Sequence, residues 1–258
     1  MGGRGLAALR RRAAQWVMFA LATAVSAARA APIYVPNASF ESPVIRESPF
    51  ARPDLADWQQ APPPDWWIGM GYTAEDWDNT TGVFYNVPDV PTWIDNVDGE
   101  QAAFLFSTPG VEIYQDLAAT FEAGLALRLT VGLQGGGMGM PLGTPLELRL
   151  YYRDDDGVRV TVGSTVAVNT TDESQPHLRH LDDWQLEIAV VSPSDPWAGK
   201  NIGIQIISPP QSPGGFWRVD NVRLEVIPEP AAAALLAAGL LLAERFRKRG
   251  ARDARQLR

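Results

Sequence analysis

The side chains that could do chemistry in this 258-residue chain are carboxylates and aromatic rings, because it contains no cysteine and only two histidines. His177 and His180 stand three residues apart, a spacing that could place two metal ligands on one turn of a helix. Pro176 and the strand-like sequence around the pair favour a surface loop instead. The 30 acidic residues would always allow a catalytic carboxylate pair, as in a glycosidase, but their spacing selects no particular pair.

Two further motifs favour turns rather than catalytic sites. Asp154, Asp155 and Asp156 lack the spaced acids of a calcium-binding loop, and with Gly157 they predict a hairpin turn. The glycine-rich run 135–139 lacks the strand-then-helix context of a phosphate-binding loop and predicts a flexible loop. The sequence therefore predicts a protein that is not an enzyme, with a glycosidase as the less favoured alternative.

Aromatic residues concentrate in the proline-rich segment 44–100, which holds five of the nine tryptophans. Such rings either form an exposed platform for a ligand such as a sugar or pack against a sheet, and both readings stay open. Trp66 and Trp67 are the best candidates for ligand binding, because two adjacent rings in an extended chain cannot both face one core.

The elements that must position these residues are predicted to be strands. In the segment 146–153, Leu146, Leu148 and Leu150 alternate with polar residues, which indicates a half-buried antiparallel strand. Eight segments have strand character, at 102–107, 111–117, 125–133, 146–153, 158–168, 184–191, 201–207 and 216–226. Residues 32–227 are therefore predicted to form a single all-β domain, a β-sandwich of jelly-roll type.

The charge of the chain is divided along its length. The formal net charge is −8, but residues 32–227 hold most of the acidic side chains, whereas both ends are basic. An acidic domain repels phosphate backbones, so nucleic acid is excluded as a partner.

The N-terminal segment has the layout of a secretory signal peptide. Arg4 and Arg10–Arg12 precede an apolar run at 13–25, and an Ala-Arg-Ala sequence then ends at Ala30. Residues 1–30 are therefore predicted to direct export and to be removed by signal peptidase.

The C-terminal segment combines a Pro-Glu-Pro triplet, a short apolar run at 231–243 and a basic cluster. The residues of the triplet and the cluster are Pro228, Glu229, Pro230, Arg245, Arg247, Lys248 and Arg249. Residues 228–250, followed by a basic tail at 251–258, resemble a PEP-CTERM sorting signal. The resemblance implies that an apolar helix anchors the chain transiently in the membrane. An exosortase would then cut near the triplet and release the protein to the cell surface or to an extracellular exopolysaccharide matrix of the kind found in biofilms.

The two ends of the β domain carry a second resemblance. The segments 35–43 and 216–226 are similar to the first and last strands of galactose-binding-like sandwiches, which include carbohydrate-binding modules. The resemblance implies a structural Ca²⁺ ion with Glu41 and Asp220 as ligands, and the alternative is that both are solvated acids. It also implies a non-catalytic domain that binds glycan or packs in exopolysaccharide. A purely structural or adhesive surface protein is the alternative.

Overall fold

A computed structural model describes residues 30–46, 51–88, 93–172 and 179–227 of the chain, without the side chains of residues 51 and 52. Residues Pro32–Glu225 form one compact unit. A second unit, Met1–Ala31 with Val226–Arg258, lies almost wholly outside the described residues. The predicted signal peptide and the predicted sorting signal therefore fall outside the part of the chain that the structure describes. Within that part, no helix has the length and apolar character needed to cross a membrane.

The described chain consists mainly of β-strands, with two short helices. The strands are β1 (Ala31–Ile33), β2 (Ala51–Arg52), β3 (Gln59–Gln60), β4 (Thr81–Tyr85), β5 (Gln101–Phe106), β6 (Glu112–Thr120), β7 (Ala126–Gly137), β8 (Pro145–Arg153), β9 (Arg159–Val168), β10 (Asp182–Ile188), β11 (Asn201–Ile207) and β12 (Phe216–Ile227). The helices are α1 (Asp65–Gly69) and α2 (Ala74–Asp78).

The strands form two sheets. The larger sheet has the order β10-β7-β12-β5-β4-β2, with β1 also paired to β12, and the smaller sheet has the order β3-β6-β11-β8-β9. The pairs of β12 with β5 and of β8 with β9 are antiparallel. The prediction of an all-β sandwich is therefore confirmed.

The core follows from the period of two along each strand. Leu146, Leu148 and Leu150 of β8 are fully buried, as the alternation predicts. Tyr151, on the opposite face of β8, is buried as well, because its ring covers Gly203 of β11 and its hydroxyl donates to the carboxylate of Asp116 over 2.9 Å. In the larger sheet, the core-facing residues of β12 include Trp217 and Val219.

The turn predicted at Asp154–Gly157 joins β8 to β9. The backbone N–H of Gly157 donates to the carbonyl of Asp154 over 3.0 Å, and Gly157 has a φ of 79° that favours glycine. The prediction of a flexible loop at 135–139 is wrong in part, because β7 continues through Gly137.

Candidate functional site

The predicted aromatic platform lies on a helix rather than on an extended segment. Trp66 and Trp67 belong to α1, where Trp66 is 42% exposed and Trp67 is half-buried. The ring of Trp67 stacks on Tyr72 with centroids 4.4 Å apart and meets the buried ring of Trp77 edge-on. The argument from extended geometry is therefore wrong, and a role of this pair in ligand binding stays an untested prediction.

Other tryptophans of the 44–100 segment pack into the domain. Trp58 and Trp77 are buried, and their indole N–H groups donate to the carbonyls of Asn37 and Ala61. The packing interpretation therefore holds for these two residues.

A second aromatic surface lies on paired strands of the larger sheet. In the register of β5 with β12, Phe216 stands opposite Phe106 and Arg218 stands opposite Phe104. Side chains two residues apart on a strand share a face, so these four residues lie together. We call Phe104, Phe106 and Phe216 the phenylalanine face.

The rings of the phenylalanine face contact one another. Phe106 and Phe216 stack with centroids 6.1 Å apart, and Phe104 is tilted against Phe106 at 5.9 Å. Phe104 is buried, whereas Phe106 and Phe216 are half-buried and so keep part of their surface available for contact. Flat rings with few rotatable bonds bind apolar molecules at a low cost in conformational entropy.

A charged side chain lies within this apolar surface. The guanidinium of Arg218 is 5.0 Å from the centroid of the Phe216 ring, and its Nη1 donates to Oε1 of Gln134 over 3.3 Å. Both Arg218 and Gln134 are buried, at 7% and 4% exposed. A guanidinium keeps its proton in proteins, so Arg218 adds a permanent positive charge to the face.

A glycine on the adjacent strand makes room for the central ring. A Cβ atom on Gly137 would lie 2.6 Å from the ring of Phe216, well inside van der Waals contact. The glycine run at the end of β7 therefore lets the Phe216 ring pack closely against the backbone of that strand.

The two predicted calcium ligands lie near each other. One carboxylate oxygen of Glu41 accepts the backbone N–H groups of Glu100 and Gln101, each over 2.8 Å. Oδ2 of Asp220 accepts the backbone N–H of Asp98 over 2.7 Å, whereas Oδ1 is buried without a hydrogen-bond partner. Residues 98–101 thus link the carboxylates of the first segment and the last strand.

A negative charge on the carboxyl of Asp220 is unfavourable, because this side chain is fully buried. Burial, with a smaller contribution from the negative charges of Asp98 and Glu41, raises the pKa of this carboxyl to about 8. Among the described residues, no three His, Asp or Glu side chains already form a metal cluster. A buried, unpartnered carboxylate oxygen beside a second carboxylate nevertheless fits a hard cation, which would balance the charge.

Two acids of the smaller sheet are held in ion pairs. On the outer face of the smaller sheet, Glu112 pairs with Arg159 over 2.5 Å, and Asp116 pairs with Arg153 over 2.9 Å. The ion pairs account for the presence of Glu112 and Asp116, so we assign both acids a structural role. His180 is exposed beside Asp182, and His177 lies outside the described residues, so the histidine pair is not tested.

Comparison with known proteins identifies the family of the β domain. A model of the HpiC1-like family, described as HpiC1 cyclase, matches residues 31–225. The chain belongs to the HpiC1-like cyclase family. No curated protein matches the chain.

Solved structures share the fold of this HpiC1-like chain. A Stig cyclase, Fisc, from Fischerella sp. TAU in complex with (3Z)-3-(1-methyl-2-pyrrolidinylidene)-3H-indole is 21% identical, with a TM-score of 0.57, and the match covers 78% of this chain and 99% of that chain. A cyclase from Fischerella sp. TAU is 20% identical, with a TM-score of 0.59 and coverage of 78% and 98%. A cyclase from the same organism in complex with 4-(1H-indol-3-yl)butan-2-one is 20% identical, with a TM-score of 0.58 and coverage of 77% and 98%.

The family corrects three expectations from the sequence. The identification of the chain as a PEP-CTERM sorting protein with a carbohydrate-binding-module-like domain is wrong, because residues 31–225 match the HpiC1 cyclase model. The expectation of a non-catalytic glycan-binding or matrix protein is wrong for the same reason, and so is the expectation that the chain is not an enzyme. The β-sandwich was predicted correctly, since the cyclase structures share it. Pro228–Pro230 and the basic cluster lie outside the described residues, so processing at these positions is untested.

Sequence reasoning missed the phenylalanine face and Arg218. The sequence does contain a signal for Arg218, because this charged residue follows Phe216 and Trp217 at the apolar start of a predicted strand. A buried charge in a strand is unusual and often functional. Its neighbours Phe104 and Phe106 could be found only from the pairing of β5 with β12.

Proposed function

We propose that this HpiC1-like chain is a cyclase that closes a ring within a small aromatic substrate held against the phenylalanine face. The observation that carries the proposal is the register of β5 with β12, which gathers three phenylalanine rings around one buried arginine. The family and the indole ligands of the related cyclases support a substrate of this kind.

Ring closure suits a surface of this composition. The reaction joins two parts of one molecule, so its rate depends on how often a flexible chain is folded with the two parts in contact. Holding both parts against rigid rings replaces that search with a bound, folded conformer, and well-oriented intramolecular reactions gain about 7–11 kcal/mol in this way. Aromatic faces also stabilise positive charge that develops on carbon during ring closure.

The same proposal assigns a structural role to calcium. Glu41 and Asp220 would hold the ion, with backbone carbonyls as further ligands. The ion would balance the charge of the two carboxylates rather than take part in the chemistry. It would also tie β12 to the segments at Glu41 and 98–101, which hold its ligands in place. Arg218 stands two residues before Asp220 on β12, so the ion would also fix the strand that carries the substrate surface.

We also propose that the cyclase acts outside the cytoplasm. The support is the sequence of residues 1–30, in which basic residues, an apolar run and small residues before Ala31 follow the order of a signal peptide. Signal peptidase would be the processing partner.

The test of the catalytic proposal is turnover by the full chain. A panel of indoles with unsaturated side chains would be incubated with the protein, and products would be sought that have the mass of the substrate but a new ring, as resolved by chromatography and NMR. We expect Phe216→Ala to lower the rate at least about tenfold, because it removes the central ring of the face.

Tyr34→Ala provides the matched control, because Tyr34 is an aromatic residue that is 82% exposed. It should keep the wild-type rate, and thermal melts would confirm that both variants are folded. An equal rate in Phe216→Ala and wild type would contradict the placement of the reaction on this face. Absence of ring closure across the panel would contradict the proposed activity.

A further inference from the structure

We infer that Met138 is a substrate-contacting residue of this cyclase, held in a strained turn at the edge of the phenylalanine face so that its thioether side chain covers part of the bound aromatic molecule. The inference rests on the proposed function, because it places the substrate on that face. Met138 thereby helps to determine which aromatic substrates the face accepts.

Met138 has an unfavourable backbone conformation. Its φ is 54°, and Gly139 after it has a φ of 70°. The backbone N–H of Met140 donates to the carbonyl of Gly137 over 3.3 Å, so residues 137–140 form a turn with positive φ at both central positions. Such type I′ turns favour Gly, Asn or Asp at the first central position, because other side chains are strained when φ is positive. The methionine therefore makes this turn less stable than it could be.

The other non-glycine residues with positive φ in the described part of the chain have an evident explanation. Asn37, Asp57 and Asn221 belong to the residue types that tolerate this conformation. Phe40 is fully buried, so packing of its ring offsets the strain. Met138 is of neither kind, because it is 72% exposed. Strained backbone is concentrated at sites that bind ligands, and we therefore assign the compensating contact to a bound substrate.

The turn lies against the phenylalanine face. A Cβ atom on Gly137 would lie 2.6 Å from the Phe216 ring, so the backbone directly before Met138 contacts that ring. On the other side of the turn, a Cβ atom on Gly215 would lie 2.5 Å from Cβ of Met140. Successive Cα atoms are about 3.8 Å apart, so the long side chain of Met138 is within reach of a molecule bound on the central ring of the face.

A buried asparagine holds the residues that follow the turn. The side-chain amide of Asn169 donates to the carbonyls of Met140 and Pro141, over 3.2 and 3.0 Å. The backbone of Asn169 also exchanges hydrogen bonds with residues 143–144, over 2.8 Å in each case. Because the base of the turn is fixed in this way, Met138 is placed beside the face before a substrate binds, which limits the entropy lost on binding.

The thioether of methionine suits contact with an aromatic molecule. Sulfur is polarisable and makes favourable contacts with ring edges, and the unbranched side chain adapts to ligands of different shape. The rings of Phe106 and Phe216 contact the flat side of the ligand, and Met138 contacts its edge. A polar group at that edge would lose its hydrogen bonds to water, so the expected substrate class is an aromatic molecule with an apolar edge.

The test uses the strain of the turn, because removal of the methionine should change stability and binding in opposite directions. Met138→Asn gives the Asn-Gly sequence that type I′ turns favour, so we expect the melting temperature to rise by about 2–4 °C. The same variant lacks the thioether and should bind 4-(1H-indol-3-yl)butan-2-one about fivefold more weakly in calorimetry on the full chain. A variant that only damaged the fold would lose stability and affinity together.

Met138→Leu is the conservative variant, because it retains an apolar side chain on the strained backbone. It should keep the wild-type melting temperature and an affinity within about twofold of wild type. Met70→Asn is the matched control. Met70 is a methionine that is 67% exposed, but it caps α1 with an ordinary φ of −83°, so its replacement should change neither stability nor affinity.

The outcomes separate this inference from the proposed function. An affinity of Met138→Asn equal to that of wild type, or a melting temperature that does not rise, would overturn the inference, while loss of binding in Phe216→Ala would keep the substrate on the face. A wild-type protein that binds no indole, or Phe216→Ala that binds it as wild type does, would overturn both. Higher stability with weaker binding in Met138→Asn, together with normal binding in Met138→Leu, would support the inference.

Discussion

At the scale of single residues, the carboxyl of Asp220 has a strongly raised pKa and therefore makes stability depend on pH. Burial raises its pKa in the metal-free folded protein to about 8, compared with about 3.9 in an unfolded chain. The folded state therefore binds more protons than the unfolded state between these values. The contribution of Asp220 to stability is fully present at acid pH and is lost as pH rises to about 8.

Calcium should reverse this loss, because the ion binds the ionised carboxylate. We predict that the gain in melting temperature on adding calcium to chelated protein is small at pH 6 and reaches about 5–10 °C at pH 8.5 with excess calcium. Asp220→Asn should remove most of the gain. The measurement is a set of thermal melts across this pH range, with calcium or with chelator.

Asp156→Asn serves as the control for this prediction, because Asp156 is an exposed acid in the hairpin between β8 and β9. It should retain the full effect of calcium. A calcium-dependent gain of the same size in Asp220→Asn and wild type would show that the ion binds elsewhere.

The sequence indicated Glu41 and Asp220 but not Phe104, Phe106 or Arg218. The two acids stand in recognisable segments at the ends of the domain, so their types and order along the chain were informative. The phenylalanine face depends on which strands pair and in which register, and this pairing joins residues distant in sequence. A pattern of alternation gives the faces of one strand but not the identity of its neighbour.

At the scale of elements, the strands were predicted well and the short helices were not. The predicted strand 146–153 corresponds closely to β8, because its alternation is regular. α1 was missed, although Pro64 followed by Asp65 is a favourable start for a helix. That error changed the expected exposure of Trp66 and Trp67, since adjacent residues on a helix point in directions about 100° apart rather than to opposite faces.

The second helix depends on its capping residues. The hydroxyl of Thr73 accepts the backbone N–H of Asp76 over 3.1 Å, and the Asp76 carboxylate accepts the backbone N–H of Thr73 over 2.8 Å. This capping box positions Trp77, which is buried against the domain. The hydrogen bonds from Thr73 also hold the pKa of Asp76 below its ordinary value.

We predict that Thr73→Ala destabilises the protein by about 1 kcal/mol, which lowers the melting temperature by about 2–4 °C. Thr73→Ser retains the hydroxyl and should restore most of the stability, which separates loss of the cap from loss of the methyl group. Denaturant unfolding of the three proteins would measure the difference. Equal losses in Thr73→Ala and Thr73→Ser would contradict the capping explanation.

At the scale of the whole molecule, fold and activity had to be inferred separately. Alternating strands were sufficient to predict a β-sandwich, and the cyclase structures share that fold. A sandwich can hold many kinds of site, so the fold did not reveal the activity. The PEP-CTERM resemblance concerned a short C-terminal segment, whereas the HpiC1-like match extends over residues 31–225 and therefore identifies the domain.

The most direct test of the account is a crystal structure of the full chain with bound 4-(1H-indol-3-yl)butan-2-one. The account predicts that the indole ring packs on the half-buried rings of Phe106 and Phe216. An indole bound instead at Trp66 and Trp67, away from the phenylalanine face, would contradict the proposed position of the cyclase site.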